Sequence, residues 1–308
     1  MARSDPSGPN TAVSWHDLAV PDMSFGVYVN PRSAQHDRDL VLRMEDTDLD
    51  TVWVGDTLGD WRDRSAPMLD SWITLGAMAN DTDEIDLGML VSNLAWRDPV
   101  QVARFAMTVD QLSNGRFLLG LGCGQLDDQL MAGREVFAMP DQERVDRLDE
   151  GVQVIDRLLR GDLSPFKGAF SCYESAAMAP GPVQDPRLPI VVAGDGDREM
   201  QIAVEHGDTW NTRIDTPDMD HFYAQTATRI ALLDRYLESA GRDAESLTRS
   251  LLVFEGVIDP WATSEAIPSL VERFRPLGFT EYIFYAPASD QLRDFLRIAV
   301  KVLPQLRS

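Results

Sequence analysis

Residues 85–124, IDLGMLVSNLAWRDPVQVARFAMTVDQLSNGRFLLGLGCG, read as strand, loop, helix, turn and strand in that order. Ile85, Leu87, Met89 and Val91 form a short apolar strand. Pro99 falls where proline is tolerated, in the first turn of a helix. Val102, Phe105, Ala106 and Val109 then recur at helical spacing, and Asn114-Gly115 supplies a left-handed stop before the strand Phe117–Leu121. Two parallel strands bracketing one helix make a βαβ unit, and this one ends in the glycine-rich run GLGCG.

The same alternation extends in both directions. A polar leader to about Met23 precedes a strand at Phe25–Val29 and a helix near Asp37–Leu49. Thr51–Val54 and Pro67–Ala79 form the second strand and helix. The unit above gives strands three and four. Val145, Leu148, Val152, Ile155 and Leu158 share one face of a fourth helix over Glu143–Arg160. Residues 161–188 are too long and too rich in Pro and Gly for an ordinary connection, and read as an insertion containing a short hairpin. Ile190–Ala193, Asp197–His206, Thr209–Asn211 and Asp218–Ala240 follow as strand, helix, strand, helix. Leu251–Ile258, Ser264–Leu277, Tyr282–Tyr285 and Asp290–Val302 complete the series. Eight such units predict a single α/β domain over residues 24–308, a (β/α)₈ TIM barrel with its insertion between helix four and strand five.

Composition narrows the function. Fifty acidic against 28 basic residues give a net charge of −22, which repels a nucleic-acid backbone or an anionic membrane. No apolar run approaches the roughly 20 residues a membrane span needs, and the leader lacks the apolar core of a signal peptide, so a cytoplasmic protein is expected. Cys123 and Cys172 form no disulfide framework, and His16, His36, His206 and His221 show no metal-ligand spacing, so no metal is expected.

In such a barrel chemistry sits at the carboxyl ends of the strands. Asn114-Gly115-Arg116 precedes strand four and therefore belongs to the opposite, stability face. The candidates are Asn30 after strand one, Asp56, Thr57 and Trp61 after strand two, and Ser92 and Asn93 after strand three. Cys123, Gly124 and Gln125 follow strand four, Gly194, Asp195 and Gly196 strand five, and Trp210 and Asn211 strand six. Asn30 and Asp56 also suit plain turn chemistry. In AGDGDREMQIA (193–203) the glycines let backbone amides approach a ligand, the helix start offers an anion site, and Arg198 can add charge. The competing reading is a glycine turn with Asp197 as helix cap.

LGMLVSN…RDPVQVARFAMTVDQLSNGRFLLGLGCG resembles the signature segment of the bacterial luciferase-like superfamily of flavin- and deazaflavin-dependent oxidoreductases. PVQDPRLPIVVAGDGDREMQIAVEHGDTWNT resembles that family's cofactor-phosphate segment, and the likeness runs over roughly residues 25–303. It implies a TIM barrel, usually homodimeric, that binds reduced FMN or F420 and acts on a small-molecule substrate. It also implies a non-proline cis peptide at Leu90–Val91. Helices near strands two to four, with Met68, Trp72, Leu75 and Met78, are the expected dimer face.

Some F420 relatives carry a histidine, a tryptophan four residues on, and a glutamate after the strand-four glycines; the matching positions here are Thr57, Trp61 and Gln125. These three are the candidate catalytic positions. Neither threonine nor glutamine titrates near neutral pH. That departure favours a two-component monooxygenase using reduced FMN from a separate flavin reductase. F420-dependent hydride transfer and a non-catalytic flavin-binding homologue are the alternatives.

Overall fold

The computed structural model describes residues 23–60, 63, 65–124 and 139–307. The leader, Trp61 and Gln125 lie outside the described residues. Strands β1 (Ser24–Val29), β2 (Thr51–Val54), β3 (Asp86–Asn93) and β4 (Phe117–Gly122) precede a two-stranded hairpin of β5 (Phe166–Lys167) and β6 (Cys172–Tyr173). Then come β7 (Ile190–Ala193), β8 (Thr209–Ile214), β9 (Thr248–Val253) and β10 (Glu281–Tyr285). All but the hairpin close into one parallel barrel of order β1-β10-β9-β8-β7-β4-β3-β2, the expected TIM barrel.

Among the described residues the helices packed outside it are α1 (Ala34–Glu45), α2 (Ser71–Asp81), α3 (Pro99–Ser113), α4 (Asp141–Leu159), α5 (Asp197–His206), α6 (Met219–Ser239), α7 (Ala266–Phe274), α8 (Leu292–Lys301) and the short α9 (Leu303–Leu306). No described helix is long and apolar enough to cross a membrane.

The barrel interior is filled around one indole. Trp53 on β2 is fully buried with Leu90, Val191, Leu252 and Ile283. Its neighbours Gly26 and Gly88 leave it room: a Cβ on Gly26 would lie 2.6 Å from Trp53 Nε1, and one on Gly88 would run into the indole ring. The larger apolar core lies between strands and helices, where Phe117, Ile155, Ile190, Phe274 and Phe295 are fully covered.

The stability face is closed by the turn after α3. Asn114 and Gly115 take left-handed conformations (φ 57° and 86°), and Arg116 donates to Ser113 O and Thr82 O at 2.9 and 2.8 Å. The insertion is tied down by buried Asp110 of α3, whose carboxylate accepts from Val183 N at 2.6 Å and Gln184 Nε2 at 2.7 Å. The Leu90–Val91 peptide is cis, as are Ala179–Pro180 and Asp185–Pro186.

Several expected boundaries move. Helix α1 starts at Ala34, because Ser33 accepts from His36 N, and it ends at Glu45. Helix α2 starts at Ser71 and not at Pro67, because Asp70 caps it by accepting from Ile73 N at 3.1 Å. Strand β8 runs on to Ile214 because its pairing with β9 continues through Val253. Strand β9 stops there and not at Ile258, the chain bending through Gly256 at φ 87°. Trp72, Leu75 and Met78 are core residues of α2, so they do not form the expected surplus apolar face.

Candidate active site

A cavity of about 590 Å³ opens at the carboxyl ends of the barrel strands. Every barrel strand end lies near it for the same reason: in a parallel barrel these ends share one face. Of the expected residues, Asn30, Asp56, Thr57, Leu90, Val91 and Asn93 line it from β1, β2 and β3. From the far side, so do Cys123, Gly124, Gly194, Asp195 and Asn211.

Asp56 is a brace. Its buried carboxylate accepts from Arg97 Nε at 2.9 Å and Nη2 at 2.6 Å, and from Ser92 Oγ at 3.1 Å. Ser92 is therefore beneath the cavity and reaches it through Asp56. Burial opposes the charge on Arg97, but the Asp56 carboxylate outweighs burial and holds the guanidinium more firmly protonated than usual. Asp195 is likewise engaged, accepting from Thr212 Oγ1 at 2.5 Å and facing Arg229 at 3.6 Å. Thr57 Oγ1 lies 3.9 Å from Met68 Sδ. Burial, with the Glu199 carboxylate adding to it, pushes the Cys123 thiol up, so it is a neutral thiol near neutral pH.

One wall was not expected from sequence. The rings of Tyr28 and Tyr285 meet at 4.8 Å, tilted by 37°, and Phe254 meets Tyr285 edge-on at 5.4 Å, joining the ends of β1, β10 and β9. The Tyr28 hydroxyl lies so close over Gly55 that a Cβ there could not fit. The usable signal was strand phase: Tyr28 sits two residues before Asn30, on the same side of β1.

The glycine loop departs from expectation in three ways. Trp210 does not line the cavity; it alternates with inward Asn211, is fully buried, and donates from Nε1 to Gly194 O at 2.8 Å. Gly196, rather than Asp197, is the N-cap of α5. Arg198 turns outward, donating to Asp149 Oδ2 at 2.5 and 3.2 Å and to Glu205 Oε1 at 3.1 Å, because these carboxylates on α4 and α5 offer it partners. It is not a cavity-lining residue. Glu199 stands over the loop instead. A Cβ on Gly194 would lie 2.6 Å from Glu199 Cβ and Cγ, and one on Gly196 would meet the carboxylate itself.

The class that this barrel and cavity define is that of the luciferase-like oxidoreductases. The model of the luciferase-like monooxygenase family matches residues 20–275, and the chain belongs to that family. It is 27% identical over 322 residues to an F420-dependent glucose-6-phosphate dehydrogenase of Amycolatopsis mediterranei, covering 88% of this chain and 95% of that one. It is 30% identical to an F420-dependent hydroxymycolic acid dehydrogenase of Mycobacterium tuberculosis over 70% of this chain and 57% of that protein. Among solved structures, an F420-dependent secondary alcohol dehydrogenase in complex with an F420-acetone adduct superposes with TM-score 0.77 at 19% identity, covering 93% of this chain and 99% of the other. A monooxygenase from Streptomyces bottropensis does so with TM-score 0.73 at 18% identity, covering 93% and 100%. The chain is thus a luciferase-like enzyme, an oxidoreductase of the flavin or F420 type.

The residues present fit such a cofactor. The cavity is of the size small-molecule and cofactor sites take. Gly194 and Asp195 line its edge at the start of α5, where the side chain of Glu199 lies against Gly194 and Gly196.

Proposed function

We propose that the chain is an F420-dependent oxidoreductase that moves hydride between the deazaflavin and a small alcohol or carbonyl compound. The observation that carries this reading is the near full-length kinship with F420-dependent dehydrogenases. It outweighs the inference from Thr57 and Gln125 that reduced FMN and oxygen are used. Bound F420 would supply the ring carbon that accepts or returns hydride.

The chain's own work is placement and shelter. Leu90 and Val91 support one side of the ring region, and Asp56, locked by Arg97 and Ser92, keeps that floor rigid. Gly194, Gly196 and the first amides of α5 receive the phosphate. Tyr28, Tyr285 and Phe254 form an apolar wall that excludes water from the substrate. The hydroxyls of Thr57 and Tyr28 hydrogen-bond the substrate oxygen. As hydride leaves the alcohol carbon, the hydroxyl proton passes along these hydroxyls to water at the open mouth of the cavity, on the side away from the aromatic wall.

We also propose a homodimer through α2 and α3, where Ile73 (76% exposed), Phe105 and Leu112 present apolar surface. The reading is tested by anaerobic incubation with F420 and a panel of primary and secondary alcohols. Loss of oxidised deazaflavin fluorescence with at least one alcohol is expected. Oxygen-dependent consumption of reduced FMN, with no F420 turnover, would replace it by the monooxygenase reading.

A further inference from the structure

We infer that Glu199 selects the cofactor by the charge of its phosphate, admitting the phosphodiester of F420 and disfavouring the phosphomonoester of FMN; this rests on the F420 reading above. Three observations meet at one place. The start of α5 lies at the cavity edge, where Gly194 and Asp195 line the cavity. The cation that the loop sequence offers is withdrawn, since Arg198 is held by Asp149 and Glu205. A carboxylate stands in its stead: Glu199, half-buried, folds back against Gly194 and Gly196 and reaches to 3.9 Å from Cys123 Sγ.

An anion arriving at this helix start gains from the free amides and the helix dipole, but it also faces a fixed negative charge at close range. The two cofactors differ in what they bring. A phosphodiester carries one negative charge at any pH above about 2. A phosphomonoester carries between one and two, its second proton leaving near pH 6. Repulsion from Glu199 therefore falls harder on FMN, and harder still as pH rises. Arg198 is engaged by Asp149 and Glu205, so beside the loop's own amides the nearby cation is Arg144 of α4, whose charge is felt at Cys123.

The test titrates the full chain and its Glu199→Gln variant with F420, FMN, riboflavin and the phosphate-free deazaflavin core, following ligand fluorescence. Glutamine keeps the size of the side chain, so the fold is retained; Glu199→Ala serves as a second variant. FMN should tighten about tenfold in the variants at pH 8, F420 by about threefold, and the two phosphate-free rings by a negligible factor. The gain of FMN in Glu199→Gln over the parent should grow as pH rises from about 5.5 to 8, while that of F420 stays level. Equal shifts for FMN and F420, or a shift of riboflavin as large as that of FMN, would overturn the role of Glu199 while leaving the F420 reading intact. A parent chain that binds neither F420 nor FMN would overturn both.

Discussion

Replacing Glu281 by glutamine should stabilise the barrel at alkaline pH and do little at acid pH. Glu281 begins β10 on the stability face, buried, across the sheet from Ser250. Burial, with Asp50 and Asp86 adding their charge and the Ser250 hydroxyl opposing, pushes its carboxyl up to about 7 from an ordinary 4.5. The folded chain therefore holds this proton more tightly than the unfolded chain. Below about pH 4.5 both states are protonated and the stability contributed is fully present. Between 4.5 and 7 the unfolded state ionises first, and stability falls as pH rises through the folded value. At about 1.4 kcal/mol for each pH step, the loss reaches roughly 3 kcal/mol above pH 7. Glutamine has no such proton. Urea denaturation of both proteins at intervals from about pH 4.5 to 8 should show the variant gaining about 2–3 kcal/mol on the parent across that range. A difference that stays constant with pH would refute the argument. Asp86, also pushed to about 7 by burial, leaves a residual slope in both proteins, and losing its repulsion with Glu281 makes that slope smaller in the variant.

Three further outcomes are expected. Arg97→Ala strands the buried Asp56 carboxylate and should cost about 3 kcal/mol, read from thermal or urea unfolding, with weakened F420 binding as its second sign. Gly88→Ala drives a methyl into the Trp53 ring and should destabilise by about 1–3 kcal/mol or prevent folding, whereas Gly161→Ala, with open space around it, should lose only the small penalty of its left-handed backbone. Ile73→Glu should leave the barrel folded and shift sedimentation from dimer to monomer; a parent chain that sediments as a monomer at micromolar concentration contradicts the proposed dimer.

Strong local signals made much of this legible. The bounds of β7 and α5 match the sequence reading residue for residue, because Leu188–Pro189 and Gly194–Gly196 punctuate both sides. The helix stop at Asn114-Gly115 was equally plain, since two left-handed residues there have little other use. The start of α2 was hidden because Pro67 resembles a helix opener while the true cap, Asp70, acts through one hydrogen bond. Trp210 looked like a site residue by position along the chain, yet β8 alternates, and only its phase decides that Asn211 faces the cavity and the indole does not. Arg198 could not be placed from sequence at all: its partners Asp149 and Glu205 come from another helix and from two turns further along its own. The aromatic wall was missed for a related reason, being assembled from three strands far apart in the chain.

The central claim is direct hydride transfer on F420, and isotope transfer reports it most directly. An alcohol that the enzyme oxidises, carrying deuterium on its carbinol carbon, is incubated anaerobically with the chain and F420, and the reduced cofactor is analysed by mass. The account predicts one deuterium in the reduced deazaflavin. Reduced cofactor without the label, or turnover that requires O₂ and places its oxygen in the product, would contradict it.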